Sequence, residues 1–232
     1  MKEYSPEVIY EDNHLIAVNK RSGEIVQGDK TGDEPMSESL KRYLKEKYNK
    51  PGNVFCGVIH RIDRPVTGVV LFAKTSKALS RMSESFREKD IQKTYWALVK
   101  KKPAKPEDDL VHFLVKDEKT NKSKAFQKEV PGSKRSELKY RLIASGENYH
   151  LLEILPLTGR HHQIRAQLAA IGSPIKGDLK YGAERSNKDG SISLHARKLD
   201  FIHPTSGLPI TIEAPVPSDN LWRDMEAKVN LT

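Results

Sequence analysis

The stretch CGVIHRIDRPVTGVVLFAKT, Cys56 to Thr75, decides how this chain is read. A charged cluster, His60-Arg61-Ile62-Asp63-Arg64, is followed by Pro65 and then by the apolar run Val69-Val70-Leu71-Phe72-Ala73. An apolar run of that length bounded by turn residues reads as a buried strand, and Thr67-Gly68 supplies the turn that starts it. The cluster is therefore predicted on a loop fixed to the core, where reactive groups collect. Asp63 has Arg61 and Arg64 close in sequence. A carboxylate beside guanidinium groups stays ionised at neutral pH, which suits a nucleophile or an electrostatic stabiliser better than a general acid. A loop aspartate that merely braces a turn has the same local signature.

The 232 residues carry a formal net charge of +9, with 37% hydrophobic and 31% charged residues. That composition fits a globular chain large enough to bury a core and argues against disorder. The basic surplus points to a polyanionic partner, of which nucleic acid is the commonest, although a lysine-rich solvated surface would look alike. Cys56 is the single cysteine, which excludes an internal disulfide framework and a cysteine-rich zinc site and favours a reducing compartment, hence a cytoplasmic location. The N-terminal MKEYSPEVIYED has no apolar export core. No apolar run approaches the roughly 18 residues that span a bilayer, so no membrane partner is expected.

Outward from the opening stretch, Val8–Tyr10 and His14–Asn19 read as strands around Asp12-Asn13. Ser37–Tyr48 reads as a helix capped by Ser37, and Ser76–Asp90 as a second helix burying Leu79, Met82 and Phe86. Lys93–Lys100 alternates as a strand, with Tyr95, Ala97 and Val99 on one side and Trp96 and Leu98 on the other. Lys101 to Asp109 has linker composition. Leu110–Val115 is a strand, and Lys116–Lys124 a lysine-rich polar loop. Glu137–Ala144 and Tyr149–Leu155 form a hairpin around Ser145-Gly146-Glu147-Asn148. Leu194–Phe201 and Ile210–Glu213 are strands, and 221–229 is an amphipathic tail. Strands and helices mix without regular βαβ alternation, so the predicted class is α+β.

The second informative stretch is LPLTGRHHQIRAQLAAIGSPIKGDLKYG, Leu155 to Gly182. Thr158 is placed to cap a helix over about 160–171, with Ile164, Leu168 and Ile171 buried and Gly172 as its stop. Arg160, His161 and His162 crowd the helix start, where free backbone N–H groups attract anions. A solvated helix start with two surface histidines fits those residues equally well. Adjacent histidines on a helix diverge, so His161 and His162 make a poor metal pair.

Four blocks in order make the chain similar to the RNA pseudouridine synthases of the RluA type. They are HRIDRPVTGVVLFAKT (60–75), KTYWALVK (93–100), the 155–182 block, and LHARKLDFIHPTSG (194–207). The resemblance runs from Val8 to Ala214. Departures from the family pattern are Ile62 for Leu, Val66-Thr67 for Thr-Ser, and His161 and Gln167 for the usual Thr and His.

The resemblance implies one catalytic domain over 1–232, without a separate S4-like RNA-binding domain. It also implies a central, mostly antiparallel sheet in two halves and a basic active-site cleft. It makes Asp63 the catalytic carboxylate, Arg165 the arginine that pairs with it, and Tyr95 the tyrosine against the uracil, as base or as stacking partner. Arg61, Arg160, His162 and Gln163 become RNA contacts. The implied activity is isomerisation of uridine to pseudouridine in tRNA or rRNA. It needs no cofactor and no metal, and implies no obligate protein partner and a monomer. Two other classes remain open: a basic RNA-binding module without chemistry, and a hydrolytic RNA N-glycosidase using the same carboxylate.

Overall fold

A computed structural model of the chain describes residues 5–29 and 31–231. In chain order its elements are β1 (Val8–Glu11), β2 (Leu15–Lys20), α1 (Met36–Lys47), β3 (Gly57–Val58), β4 (Thr67–Ala73), α2 (Ser76–Glu88), β5 (Gln92–Val99), β6 (Glu107–Asp117), β7 (Lys122–Phe126), β8 (Lys134–Ser145), β9 (His150–Pro156), α3 (Gln163–Ala170), a 3-10 turn (Leu179–Tyr181), β10 (Leu194–Ile202), β11 (Pro209–Glu213) and α4 (Asn220–Val229). The class is α+β, as the mixed order of elements predicts. The chain folds as two compact units, one of residues up to 92 with 196–215, the other of 93–195 with the residues from 216 on.

In the first unit β4 is the keel. Val69 to Ala73 are all fully buried, as the uninterrupted apolar run requires. β2 pairs with β4 antiparallel from Leu15↔Ala73 to Lys20↔Gly68, and β1 pairs with β2. On the other side of β4 lies β10, which β11 flanks. Gly68 makes that approach possible: its φ is +111°, and a Cβ there would stand 2.2 Å from the Ala196 carbonyl oxygen. Alternate residues feed two apolar clusters. Leu15, Ala17, Val69 and Leu71 meet Ala78 and Met82 of α2, while Ile16, Val18, Val70 and Phe72 meet Leu40 and Leu44 of α1. The period-2 alternation of β2 and β4 thus packs a helix on each face.

Helix α2 starts where Thr75 accepts a hydrogen bond from Ala78 N–H, and its end is marked by left-handed Lys89. Ser37 does not cap α1. Pro35 takes that place, without a side-chain cap.

The second unit carries the antiparallel order β5-β9-β8-β6-β7. Trp96 and Leu98 of β5 pack with Leu151, Trp222 and Met225, so the amphipathic tail docks as α4, capped by Asp219. Two local expectations change here. Lys116–Lys124 is not a loop: β6 runs to Asp117 and turns back into β7, pairing Asp117↔Lys122 and Phe113↔Phe126. Lysine-rich composition hid the alternation, in which Ser123 points inward between exposed Lys122 and Lys124. The linker composition also ends early, because β6 already begins at Glu107.

Candidate active site

Asp63 lies, half-buried, in the loop between β3 and β4. The loop closes on itself where Asp63 O accepts from Val66 N–H at 3.0 Å, and Gly23 N–H donates to Arg64 O at 3.0 Å. The decisive brace comes from Lys20, the last residue of β2. Its side chain is almost fully buried, and Nζ donates to Arg21 O, Arg64 O and Val66 O at 3.0, 2.9 and 2.8 Å. Burial pushes the Lys20 ammonium down to about 8, against the opposing pull of Glu24 and Asp63. One ammonium with three protons thus satisfies three carbonyls around the aspartate. The sequence reading missed Lys20, because a lysine closing the strand LIAVNK looks like a surface end. Its position opposite Gly68 in the β2–β4 register is what turns it toward the loop.

The arginines flanking Asp63 are not equivalent. Arg61 is exposed. Arg64 turns toward the 31–33 segment, pairing with Asp33 at 2.6 Å. His60 is inward-directed: its Nε2 accepts from Leu71 N–H at 3.0 Å and its ring stacks on Phe86.

In the second unit, half-buried Tyr95 stands on β5 opposite Ile154 of β9. Arg165 is buried on α3 and makes a two-bond ion pair with Asp178, Nε to Oδ2 at 2.7 Å and a terminal nitrogen to Oδ1 at 2.9 Å. Its guanidinium also stands over the Tyr181 ring, 5.0 Å from the centroid. Asp178 and Tyr181 both sit in the GDLKYG segment and were readable as charged and aromatic residues, but nothing local said what they would touch.

The approach to α3 differs from the predicted capped start. The helix begins at Gln163, and its N-cap is His162 in the left-handed conformation, φ 51°, without a side-chain cap. Thr158 instead accepts from Glu137 N–H at 2.9 Å and donates to Gln163 Oε1 at 2.7 Å. Gln163 Oε1 also accepts from Arg160 N–H, while its Nε2 donates to Glu137 O at 2.9 Å. Gln163 is therefore turned inward, with both ends of its amide engaged within the protein. Arg160 is exposed.

The helix is buried on nearly every side from Gln163 to Leu168, including Gln167, whose amide donates to Leu110 O and Ser136 O. A stripe of Ile164, Leu168 and Ile171 alone does not describe it.

His161 and His162 do not diverge, because His162 is not helical. Their rings stack at 3.8 Å. Burial, then the neighbouring Arg165, His161 and lysine charges, pushes His162 down to about 2. Among the described residues no group of three or more His, Cys, Asp and Glu is placed to hold a metal ion. Buried Cys56 has its thiol pushed up to about 12 by burial, well above a reactive range.

A solved structure of human RNA pseudouridylate synthase domain containing 4 superposes with a TM-score of 0.78 at 21% identity, over 97% of this chain and 93% of that one. The fold is that of the pseudouridylate synthases. The family model for RNA pseudouridylate synthase matches residues 14–170, and the chain belongs to that family. A tRNA pseudouridine synthase C of Pectobacterium carotovorum subsp. carotovorum is 31% identical over 226 residues, covering 90% of this chain and 58% of that protein. A ribosomal large subunit pseudouridine synthase C of Buchnera aphidicola subsp. Acyrthosiphon pisum is 34% identical over 226 residues, covering 91% and 68%. The chain thus spans about six to seven tenths of the length of these two curated relatives.

Proposed function

We propose that this chain isomerises uridine in tRNA or rRNA to pseudouridine, with Asp63 as the catalytic carboxylate and 1–232 acting as one catalytic domain. The observation that carries the reading is the Asp63 loop. A half-buried carboxylate lies within the family-matched segment, on a backbone fixed by the buried Lys20 ammonium.

Breaking the bond from C1′ to uracil N1 builds positive charge on the ribose. An ionised carboxylate stabilises that charge or bonds to the sugar, as in retaining glycosidases. Uracil then turns and bonds C1′ through C5, the C5 proton leaves, and N1 ends protonated. Atoms and electrons balance without a cofactor or metal. Tyr95 and Arg165 take the roles that the family resemblance assigns them, and exposed Arg61 and Arg160 meet phosphate. The target nucleoside leaves its stack at a cost of roughly a few kcal/mol. The formal charge of +9 supports a polyanionic substrate. A monomer working in the cytoplasm completes the reading. Among the described residues no helix is long and apolar enough to cross a membrane.

The test maps pseudouridine across total RNA with and without the protein. Asp63→Asn is expected to keep the fold and RNA affinity and to lose product formation to background. Normal turnover by that variant defeats the assignment. Free uracil in solution would instead establish a hydrolytic N-glycosidase, and tight RNA binding by the wild type without any conversion would establish a binding module.

A further inference from the structure

The segment from the second half of α1 to β3, KRYLKEKYNKPGNVF (residues 41–55), lies outside both loops of the candidate site. Its cations are Lys41, Arg42, Lys45, Lys47 and Lys50 and its one acid is Glu46, a net +4 of the chain's +9. Residues 45–53 are all exposed. Lysines in the last turn of a helix are ordinary, since they meet the negative end of its dipole. Two large rings beside them are less so. Tyr48 is 47% exposed and Phe55 44%, so these aromatic residues are not apolar groups scattered singly over the surface.

Both rings are anchored. The Tyr48 hydroxyl donates to Glu11 Oε1 at 2.6 Å, and the same carboxylate accepts from Lys47 and Lys74 at 2.7 and 2.8 Å. The ammoniums of Lys47, Lys50 and Lys74 stand 5.5, 5.5 and 4.9 Å from the Tyr48 ring centroid. Phe55 rests against Gly57, where a Cβ would meet its ring at 3.1 Å. Gly57 pairs with Ala73, and Lys74 follows it, so both rings gather at the Ala73 end of β4. The Asp63 loop joins the Thr67 end of this seven-residue strand, roughly 20 Å away along its axis. Lys41 pairs with Glu38, and Arg42 with Glu34. Ion pairs that exposed are weak and exchange readily for phosphate.

We propose that this segment is an accessory RNA-binding surface, on which unpaired bases of the substrate RNA stack against Tyr48 and Phe55 while Lys45, Lys47 and Lys50 meet the phosphates between them. That the bound RNA is a substrate rests on the synthase reading above. Every base has a π-face, so aromatic rings beside cations hold single-stranded RNA without reading its sequence. An acidic protein surface would use the lysines but has no such use for the rings. Contacts this far from the reacting nucleotide act equally in the ground and transition states, so they lower KM and leave kcat alone.

The test has a binding and a kinetic arm. The probe is a fluorescent twelve-nucleotide oligoadenosine, which contains no uridine to convert, titrated against the whole chain at several salt concentrations. Phe55→Leu keeps an apolar group beside Gly57 and is expected to weaken binding about tenfold with an unchanged salt slope. Lys45→Gln with Lys50→Gln alters only exposed positions and is expected to lower that slope by about 1.4, two phosphate contacts on a single strand. With an RNA that the protein converts, both variants are expected to raise KM several-fold at constant kcat and melting temperature. Oligomer binding equal to the wild type in both variants overturns the proposal, as does a loss confined to kcat. Failure of the synthase reading looks different: no RNA is converted, while the oligoadenosine results stand.

Discussion

The Asp63 loop in the first unit is gripped through its backbone, whereas the Thr158–Gln163 loop in the second is gripped through its side chains. Around Asp63, the bonds that fix the loop end on the carbonyls of Asp63, Arg64 and Val66, and one remote ammonium supplies two of them. Around Gln163, the bonds run between Thr158 Oγ1, the Gln163 amide and the backbone of Glu137 and Arg160, while Arg165 is held by the Asp178 carboxylate. A backbone grip uses carbonyl oxygens that every residue carries, so it fixes the loop's path without depending on which side chains those residues bear. A side-chain grip dictates identity at each position it uses.

The contrast can be broken from its strongest side. Asp178→Ala leaves the Arg165 charge without its bidentate partner at a side-chain exposure of 7%. Removing one partner of a buried pair costs about 3–5 kcal/mol, so a large drop in the urea midpoint at constant m-value is expected, with activity falling alongside. A midpoint within error of the wild type would mean that the side-chain grip carries no weight.

Next in size is Lys20→Met, which strips the donor from three carbonyls and is expected to cost about 2–3 kcal/mol. The variant should also show faster amide exchange in residues 63–66. The sign of its pH dependence follows from burial. With the folded group at about 8 and the ordinary value at 10.5, the unfolded chain holds more protons between those values. Lys20 therefore adds stability as pH rises through that window. Lys20→Met should flatten that limb, and an unchanged slope would reject the buried-ammonium picture.

The smallest effect serves as a control away from both loops. Burial of Glu11 raises its carboxyl, but hydrogen bonds from Lys47, Lys74 and Tyr48 outweigh that and bring it down to about 2 from 4.5. Its contribution is fully present above 4.5 and is lost as pH falls toward 2. Glu11→Gln should remove that acid limb and leave kcat alone. A loss of activity would show that the β1 end reaches the chemistry.

Much of the molecule was legible from its residues. The β4 run, the β2 strand, the alternation of β5, the faces of α1 and α2, and the Asp63 loop all follow from local patterns. What was misread has one character. Lys116–Lys124 looked like a loop because lysines on an exposed edge mask a strand's period, and Ser123 is held by Tyr181, far along the chain. The partners that hold Gln163 and His162, Glu137 and Tyr181, could not be read because they are not neighbours in sequence.

The sequence by itself determined the class, the family blocks and the identity of the candidate carboxylate, since hydrophobic periodicity and motif order are properties of neighbouring residues. The tertiary structure alone decided which lysine is buried beneath the Asp63 loop, where Arg64 and Arg165 each find a carboxylate, and what holds Gln163. Those outcomes depend on hydrogen-bond partners supplied from distant strands, and no local pattern specifies a partner.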